Sequence, residues 1–352
     1  MPLRFDSRAH PAEAEHLHFS IVSTDAAEYA PPVPPVFQPS NLAELTARLT
    51  AAHGSGQQID ACNLDRLSRI IEYQPEDMVV TVETGITIEA LQNHLSQAKQ
   101  WLPIDPPLPQ ATTIADVLHD NLSGPRRLAH GTIRDWALGM RVALPDGTLI
   151  RCGGKVVKNV AGYDLARLFI GSQGSLGIIV EATFKLTPLP ERETFVRRGF
   201  ASLREAVEAA GTLREINLNF VALDLHNIRT APHAAAEPFT LVLGFAGANE
   251  DVAFGLDRAG ELGFVEPGDL SYEHAFHAAT GAEPLHKLSI LPSRLGEALQ
   301  PLDGVQFVAR AGNGIIYYRG GPKPPKQDLP RHLFERVKQT FDPKRVLPDL
   351  QA

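Results

Sequence analysis

Gly153–Pro190 reads GGKVVKNVAGYDLARLFIGSQGSLGIIVEATFKLTPLP, and the rest of the chain is organised around it. Val156 and Val157, a β-branched pair, lead into Asn159 and Gly162, after which Leu165, Leu168 and Phe169 recur at helical spacing. Gly171-Ser172-Gln173-Gly174-Ser175-Leu176-Gly177 follows, with glycine at every third residue. That pattern fits a backbone passing close to something planar or anionic, and equally a tight turn that needs positive φ. Ile178, Ile179 and Val180 open a strand in which Ala182, Phe184 and Leu186 alternate with Thr183, Lys185 and Thr187. Pro188 ends it.

With 352 residues the chain has room for two or three compact units, each with its own core. At 43% hydrophobic and 21% charged residues, its composition is that of an ordinary globular protein rather than a disordered one. A net charge of −8 with no dense Lys/Arg run argues against a surface that tracks nucleic-acid phosphates. The two cysteines, Cys62 and Cys152, cannot form a disulfide framework or hold an iron–sulfur cluster unaided, so reduced thiols in the cytoplasm are expected. The first residues, MPLRFDSRAHPAEAEHLHFSIV, read as no signal peptide, and no segment approaches the roughly 20 apolar residues of a membrane span.

Before the opening stretch, His18 to Val22 offers an edge strand, and Ala30 to Pro39 is a stiff, Pro-rich lead-in. Ser40 or Asn41 caps a helix with Leu42, Leu45 and Leu49 on one face, ending near His53-Gly54. Gly54-Ser55-Gly56 is better read as that helix's stop than as a phosphate loop. Asp65 to Tyr73 packs Leu67, Ile70 and Ile71; Asp77 to Glu83 is a strand; Ile88 to about Lys99 is a helix with Leu91 and Leu95 inward. A Pro-rich turn, Trp101 to Pro107, precedes a short helix from Thr112 through Asn121. Leu138–Leu144, the Pro145-Asp146-Gly147 turn and Leu149–Cys152 make a hairpin.

Beyond Pro190 strands are expected near Thr194–Gly199, Asn217–Leu223, Thr240–Gly244, Gln306–Ala309 and Gly314–Tyr318. Helices are expected over Leu203–Leu213, Asp251–Gly260 and Pro330–Phe341, the last with Leu333, Phe334, Val337 and Phe341 as its apolar residues. His274 and His277 sit three apart with no further ligand nearby in sequence, so no metal site is read.

KNVAGYDL, GSQGSLGII and the strand closing in KLTPLP resemble the flavin-binding domain of the vanillyl-alcohol oxidase / p-cresol methylhydroxylase superfamily. The likeness is closest to its glycolate oxidase and D-lactate dehydrogenase branch. It runs from about Pro35 to the C-terminus and is densest between Leu102 and Pro190. Thr81-Val82-Glu83 with Gly85 and Thr87 is similar to the superfamily's TVE-G-T segment, and Phe341-Asp342-Pro343 to its closing F-DP. The resemblance implies an α+β fold: a two-subdomain p-cresol methylhydroxylase-type FAD-binding domain (35–190) after a lead-in (1–34), then a ferredoxin-like α+β cap domain with a C-terminal helix (191–352).

A flavin needs backbone N–H donors for its pyrophosphate, donors and acceptors along its ring edge, and open space at its reactive N5. By resemblance the ring edge falls to Ser123, Gly124, Gly131, Asp135, Gly177 and the backbone of Ile178 and Ile179, while Pro107, Thr113 and Ile114 lie beside the phosphates and side chain of FAD. Without the family, Ser123-Gly124-Pro125 is a turn and Asp135 a local helix cap; Arg126 and Arg134 either pair with anionic groups or stay solvated.

The sequence departs from the family at three places. The R-G-G-G-T pyrophosphate loop has no counterpart where Ala51 to Ile59 runs straight on to Asp60 and Leu64. The T-(I/L)-G-G motif reads Thr113-Ile114-Ala115-Asp116, and a carboxylate beside a pyrophosphate is repulsive, of order ~1–3 kcal/mol for each bond it displaces. The H-A-G-D-G-N-x-H of the hydroxy-acid-oxidising subunits reads Arg310-Ala311-Gly312-Asn313-Gly314-Ile315-Ile316-Tyr317, so no catalytic residue is identified. The pattern therefore resembles the accessory flavin-type subunit of bacterial glycolate oxidase. It implies an FAD-binding subunit beside a flavin-containing catalytic subunit and an iron–sulfur subunit, or alternatively a structural subunit with a degenerate flavin site.

Overall fold

The computed structural model of the chain describes residues 36–59, 62–154, 165–216, 218–229, 237–279, 283–325 and 330–350. The Pro-rich lead-in before Val36, the edge strand at 18–22, Asp60, and the segment carrying Val156, Val157, Asn159 and Gly162 lie outside those residues.

The N-terminal half is built on a sheet of order β1-β2-β6-β4-β5, antiparallel throughout. Its strands are β1 (Ile70–Gln74), β2 (Val79–Glu83), β4 (Ala137–Ala143), β5 (Leu149–Gly153) and β6 (Ile178–Lys185), with β3 (Gln100–Trp101) and β7 (Thr187–Pro188) pairing apart. The strand of the opening stretch, β6, is the central one. Val80, Val82, Val142, Ala182 and Phe184 point to one buried cluster, as the period of two requires.

Helices cover both faces of this sheet. α2 (Ile88–Ser96) contributes Leu91 and Leu95 to the Val80 cluster, α3 (Ile114–Asp120) contributes Ile114 and Val117, and α6 (Leu165–Phe169) contributes Ala166 and Phe169. On the other face, α1 (Leu42–Ser55) lays Leu45, Leu49 and Ala52 against Ala143 and Val180. Asn41 caps α1 by accepting from the Glu44 N–H at 2.9 Å, and Gly56 ends it at φ 68°. The short helices α4 (Arg127–His130) and α5 (Ile133–Trp136) sit between α3 and β4. Three inward expectations fail: Ile71 is 46% exposed, Leu165 40% and Leu168 37%. α6 is only five residues long, and its buried face is Ala166 and Phe169.

The C-terminal half carries a seven-stranded antiparallel sheet of order β11-β8-β10-β9-β13-β14-β12. The strands are β8 (Arg192–Phe200), β9 (Ala222–His226), β10 (Phe239–Gly247), β11 (Glu266–Gly268), β12 (Leu285–Ser289), β13 (Phe307–Arg310) and β14 (Ile315–Arg319). α7 (Leu203–Glu215), α8 (Asn249–Glu261) and α10 (Leu295–Leu299) cover one face, burying Leu223, Leu225, Leu241, Leu243 and Ile316. α9 (Ser271–Ala278) lies on the other, over Val242, Val308, Ile315 and Tyr317. The strand expected at 217–223 begins only at Ala222 and runs to His226.

The last helix, α11 (Arg331–Phe341), returns to the first half: Phe341 meets Phe169 edge-on at 5.5 Å. Leu333 and Phe334 are exposed, and the buried residue is instead Lys338. Its ammonium donates to the carbonyls of Ser175, Leu347 and Pro348 and to the Asp342 carboxylate, at 2.8–3.0 Å. Val346 and Leu347 then pack in the α1 cluster, and the Ile59 N–H donates to the Val346 carbonyl at 2.7 Å.

Candidate functional site

The sequence-predicted residues gather in two places, joined by α3. At the first, buried Thr84 links the start of α3 to the start of β6. Its carbonyl accepts from Ala115 N–H at 2.6 Å, its hydroxyl donates to the Ile179 carbonyl at 2.7 Å, and its N–H donates to the Val180 carbonyl at 3.1 Å. Thr113, Ile114, Ile178 and Ile179 are thereby brought together, with Pro107 close by through the Thr112 hydroxyl, which donates to its carbonyl at 2.6 Å. Gly177 sits where a Cβ would fall 2.7 Å from Val142 Cγ1, so glycine lets β6 enter the sheet beside β4. Thr84 was not singled out in the sequence; nothing in TVETGIT marks it from its neighbours.

The second place is the seam between the two sheets. A Cβ at Gly124 would lie 1.8 Å from the Asp105 carbonyl, so the Ser123-Gly124 peptide is pressed against the Pro-rich turn. Asp105 accepts from Arg126 N and Nη1 at 3.0 and 3.1 Å, and the same guanidinium forks onto Glu193 of β8 at 2.7 and 2.6 Å. Burial pushes the Asp105 carboxyl up to about 6, against the pull of Arg126 and Arg310. Ser123 Oγ accepts from Arg127 Nη1 at 3.2 Å. Phe195 of β8 lies under the Arg126 guanidinium at 5.4 Å, and His130 meets Trp101 edge-on at 5.3 Å. Burial, then the Arg126 charge, hold His130 below the ordinary histidine range.

Gly131, at φ 73°, turns the chain into α5, where Asp135 acts as a local cap: its carboxylate accepts from the Thr132 N–H at 2.8 Å and the Thr132 hydroxyl at 3.3 Å. Arg126 and Arg134 are both taken up by their own chain, the second through the Ile170 carbonyl. The Gly171–Gly177 loop, expected to approach something planar or anionic, docks on the carboxyl end of α3. Gly171 N–H donates to the Leu118 carbonyl at 2.8 Å and Gln173 N–H to the His119 carbonyl at 3.2 Å.

In the seam the Gly131 N–H donates to the Arg127 carbonyl at 2.9 Å and the Gly124 carbonyl accepts from the Arg127 N–H at 3.3 Å. The phosphate side does not suit a diphosphate. Asp116 turns back onto its own helix, accepting from Thr113 N and Oγ1 at 2.8 and 2.7 Å, while Asp116 N–H donates to Thr113 Oγ1 at 3.1 Å. Gly54 and Ser55 belong to the last turn of α1 and form no loop.

The structure also assembles a buried ionic cluster that the sequence did not reveal. Arg310 Nη1 contacts Asp224 of β9 and, at 2.6 Å, Glu273 of α9. The Tyr272 hydroxyl donates to Asp224 at 2.6 Å, His226 stacks on Tyr272 at 4.2 Å, and His277 Nε2 lies 3.5 Å from Glu273. Burial works against the Glu273 carboxylate, but Arg310 overrides it and holds the group below the ordinary range; at Asp224 burial wins and the carboxyl is pushed up. Burial drives His226 down to about 3 and His277 to about 4, so both are neutral. The available signal was Asp224 and His226 alternating with Leu223 and Leu225 in one strand. His274 is exposed while His277 is buried, so the two do not form a pair. Among the described residues, no three His, Cys, Asp or Glu side chains could hold a metal ion.

Residues 50–153 match the FAD binding domain family. The chain is 38% identical over 144 residues to glycolate oxidase subunit GlcD of Bacillus subtilis (strain 168), covering 41% of this chain and 30% of that protein. It is 40% identical over 139 residues to glycolate oxidase subunit GlcE of Escherichia coli (strain K12), covering 39% of each. A D-2-hydroxyglutarate dehydrogenase of Xanthomonas citri pv. viticola is 28% identical over 227 residues, 60% of this chain and 48% of that one. The matched stretches thus span between about a third and a half of these relatives. A solved structure of alkyldihydroxyacetonephosphate synthase superposes with a TM-score of 0.65 at 17% identity, over 88% of this chain and 75% of that one, which shows a shared fold. The resemblance to this flavin-binding branch is borne out as a likeness: residues 50–153 match the FAD binding domain family, and the similar proteins include two glycolate oxidase subunits. Among the described residues, no helix is long and apolar enough to cross a membrane.

Proposed function

We propose that this chain is the FAD-binding subunit of a glycolate oxidase-like 2-hydroxy-acid oxidoreductase complex, working with a flavin-containing catalytic subunit and an iron–sulfur subunit. One observation carries the reading: Arg126 joins Asp105 to Glu193, holding the Ser123–Asp135 segment in the seam where a flavin ring would lie. Residues 35–190 act as the FAD-binding domain, and 191–352 as a ferredoxin-like α+β cap in which β8, α7, β9 and β10 form one half.

When bound, the flavin supplies a ring that accepts hydride or electrons. This chain's residues bind and orient it. Ser123, Gly124, Gly131, Asp135, Gly177 and the backbone of Ile178 and Ile179 would serve its ring edge. Pro107, Thr113 and Ile114 flank its side chain. Phe195 of the second sheet, under the Arg126 guanidinium, would help to keep water from the seam. No side chain in the seam is assigned as a catalytic base. An absorption spectrum of the purified chain, before and after incubation with FAD, tests the reading: flavin bands that stay with the protein through gel filtration support it, and their absence from both samples overturns it.

A second reading is favoured by Asp116 and Arg310. With one sealing the start of α3 and the other held by two carboxylates, the chain would be a structural subunit of that complex with a degenerate flavin site. It would co-purify with its partners yet carry no flavin, and stoichiometric FAD in the isolated chain would refute it.

A further inference from the structure

The second sheet has a cavity on the side covered by α9, and among the described residues its lining comes wholly from the C-terminal half. Strand register builds the inner wall. His226 of β9 stands opposite Thr240 of β10, and Val242, two residues along, stands opposite Arg197 of β8. Residues two apart on a strand share a face, so these side chains all turn toward α9, where Val242 clusters with Tyr272. Two of them are buried polar groups: His226 is 5% exposed and Thr240 6%. The Ile228 N–H donates to His226 Nδ1 at 3.2 Å, and burial drives the ring down to about 3, so it is neutral and its proton sits on Nε2. Among the described residues neither that N–H nor the Thr240 hydroxyl meets a hydrogen-bond partner, and both residues line the cavity. A desolvated donor left unpaired costs about 1–3 kcal/mol, which a bound acceptor removes.

The charges around these groups select the acceptor. Arg197 is mostly buried and holds exposed Glu266 at 3.0 Å, while Arg229 stands exposed at the mouth of the cavity. The first turn of α9 brings its positive end to the same place. There the Ser271 N–H is taken by Asp269 at 2.9 Å and the Glu273 N–H by the Leu270 carbonyl at 3.1 Å. Glu237 and Asp269, both exposed, lie at the mouth, where they oppose any second negative charge on a ligand. Donors line the inner wall, and charges of both signs meet at the mouth.

We infer that this cavity is a binding site for a small monocarboxylate, which accepts from His226 Nε2, the Thr240 hydroxyl and Arg197 and is balanced by the charge of Arg229. A carboxylate is the acceptor that matches a guanidinium beside two neutral donors. Dianions are disfavoured by Glu237 and Asp269, and a neutral ligand would leave the two arginines unused. The site is built by the second sheet and α9, so it stands whether or not a flavin binds to the first half.

Calorimetric melting of the full-length chain with added acetate, propionate, succinate or phosphate, at constant ionic strength and a pH of about 7.5, tests this. Acetate and propionate should raise the melting temperature saturably, half-maximally at millimolar concentration, and succinate and phosphate should need at least about tenfold more. No saturable rise with either monocarboxylate, or an equal response to phosphate, overturns the inference. Arg229→Gln alters an exposed side chain and should weaken acetate binding by about five- to tenfold without changing the unliganded melting temperature. Thr240→Val removes a buried hydroxyl that has no partner, so the unliganded variant should melt at or above the wild type while binding acetate about threefold or more weakly. If both variants bind acetate as the wild type does, the monocarboxylate binds elsewhere and the assignment of this cavity falls.

Discussion

Arg126 and Glu193 lie 67 positions apart in sequence and meet in a two-pronged ion pair, at 2.7 and 2.6 Å, that ties the N-terminal sheet to the first strand of the C-terminal one. Because the same guanidinium also holds Asp105, a single side chain sets the distance between the two walls of the seam. Arg126→Ala removes the guanidinium from exposed Glu193 and from part-buried Asp105, which keeps only the N–H of residue 126, and the expected loss of stability is about 1–2 kcal/mol, read from urea midpoints. Arg126→Lys should recover less than half of it, since an ammonium cannot fork onto Glu193 while reaching Asp105. Wild-type midpoints in both variants would show that the clamp is incidental.

Asp105 gives the molecule a pH dependence of definite sign. Its folded value, about 6, is above the ordinary value of 3.8, so the folded state holds this proton more tightly than the unfolded chain. The contribution is fully present below the unfolded value and is lost as pH rises through about 6. Denaturant midpoints measured from about pH 4 to about pH 7 should contain a declining component that Asp105→Asn removes. A wild-type and an Asn variant with parallel pH profiles would contradict this.

Thr84→Val tests the link between α3 and β6. The substitution keeps the shape and deletes the hydroxyl that donates to the buried Ile179 carbonyl, for a cost of about 1–2 kcal/mol. The amide of Ala115 should exchange with deuterium faster, because its acceptor is the Thr84 carbonyl and the whole junction loosens.

Arg310 is argued to hold α9 against the sheet rather than to meet substrate. Arg310→Met leaves Asp224 and Glu273 facing each other in a sealed space, and should cost about 3–5 kcal/mol. Adding Asp224→Asn and Glu273→Gln to it should restore most of that loss, as calorimetric melting would show. Failure of the triple variant to recover would mean that the cluster's geometry, and not its charge, is what matters.

Much of the architecture was legible because it is written in short-range patterns. The Asn41 cap and Gly56 stop bracket α1, Pro145-Asp146-Gly147 turns β4 into β5, and the alternation after Ile178 marks the central strand. What could not be read needs the third dimension. Asp116 looked like a charge facing a ligand, but a carboxylate three residues after a threonine cap bends back onto that cap, and sequence alone does not choose between the two. Asp224, Glu273 and Arg310 come from two strands and a helix, and only the sheet order brings them together. Leu165 and Leu168 have helical spacing, yet a five-residue helix is too short for spacing to say which side faces inward.

The four hydrogen bonds of Lys338 have a bearing on how the protein is made. The N-terminal half of the molecule is finished from beyond itself: Phe341, Val346 and Leu347 complete its cores, and Lys338 reaches the glycine loop from α11. On a ribosome, which releases the chain from its N-terminus, the first half must wait with part of its apolar surface uncovered until the second half has been synthesised. The order of synthesis and the order of completion are therefore reversed: the C-terminal sheet can close on its own residues, while the glycine loop that precedes it acquires its last partner only once α11 has been made. A chain cut before Arg331 should thus be trimmed by protease in its N-terminal half, far from the cut.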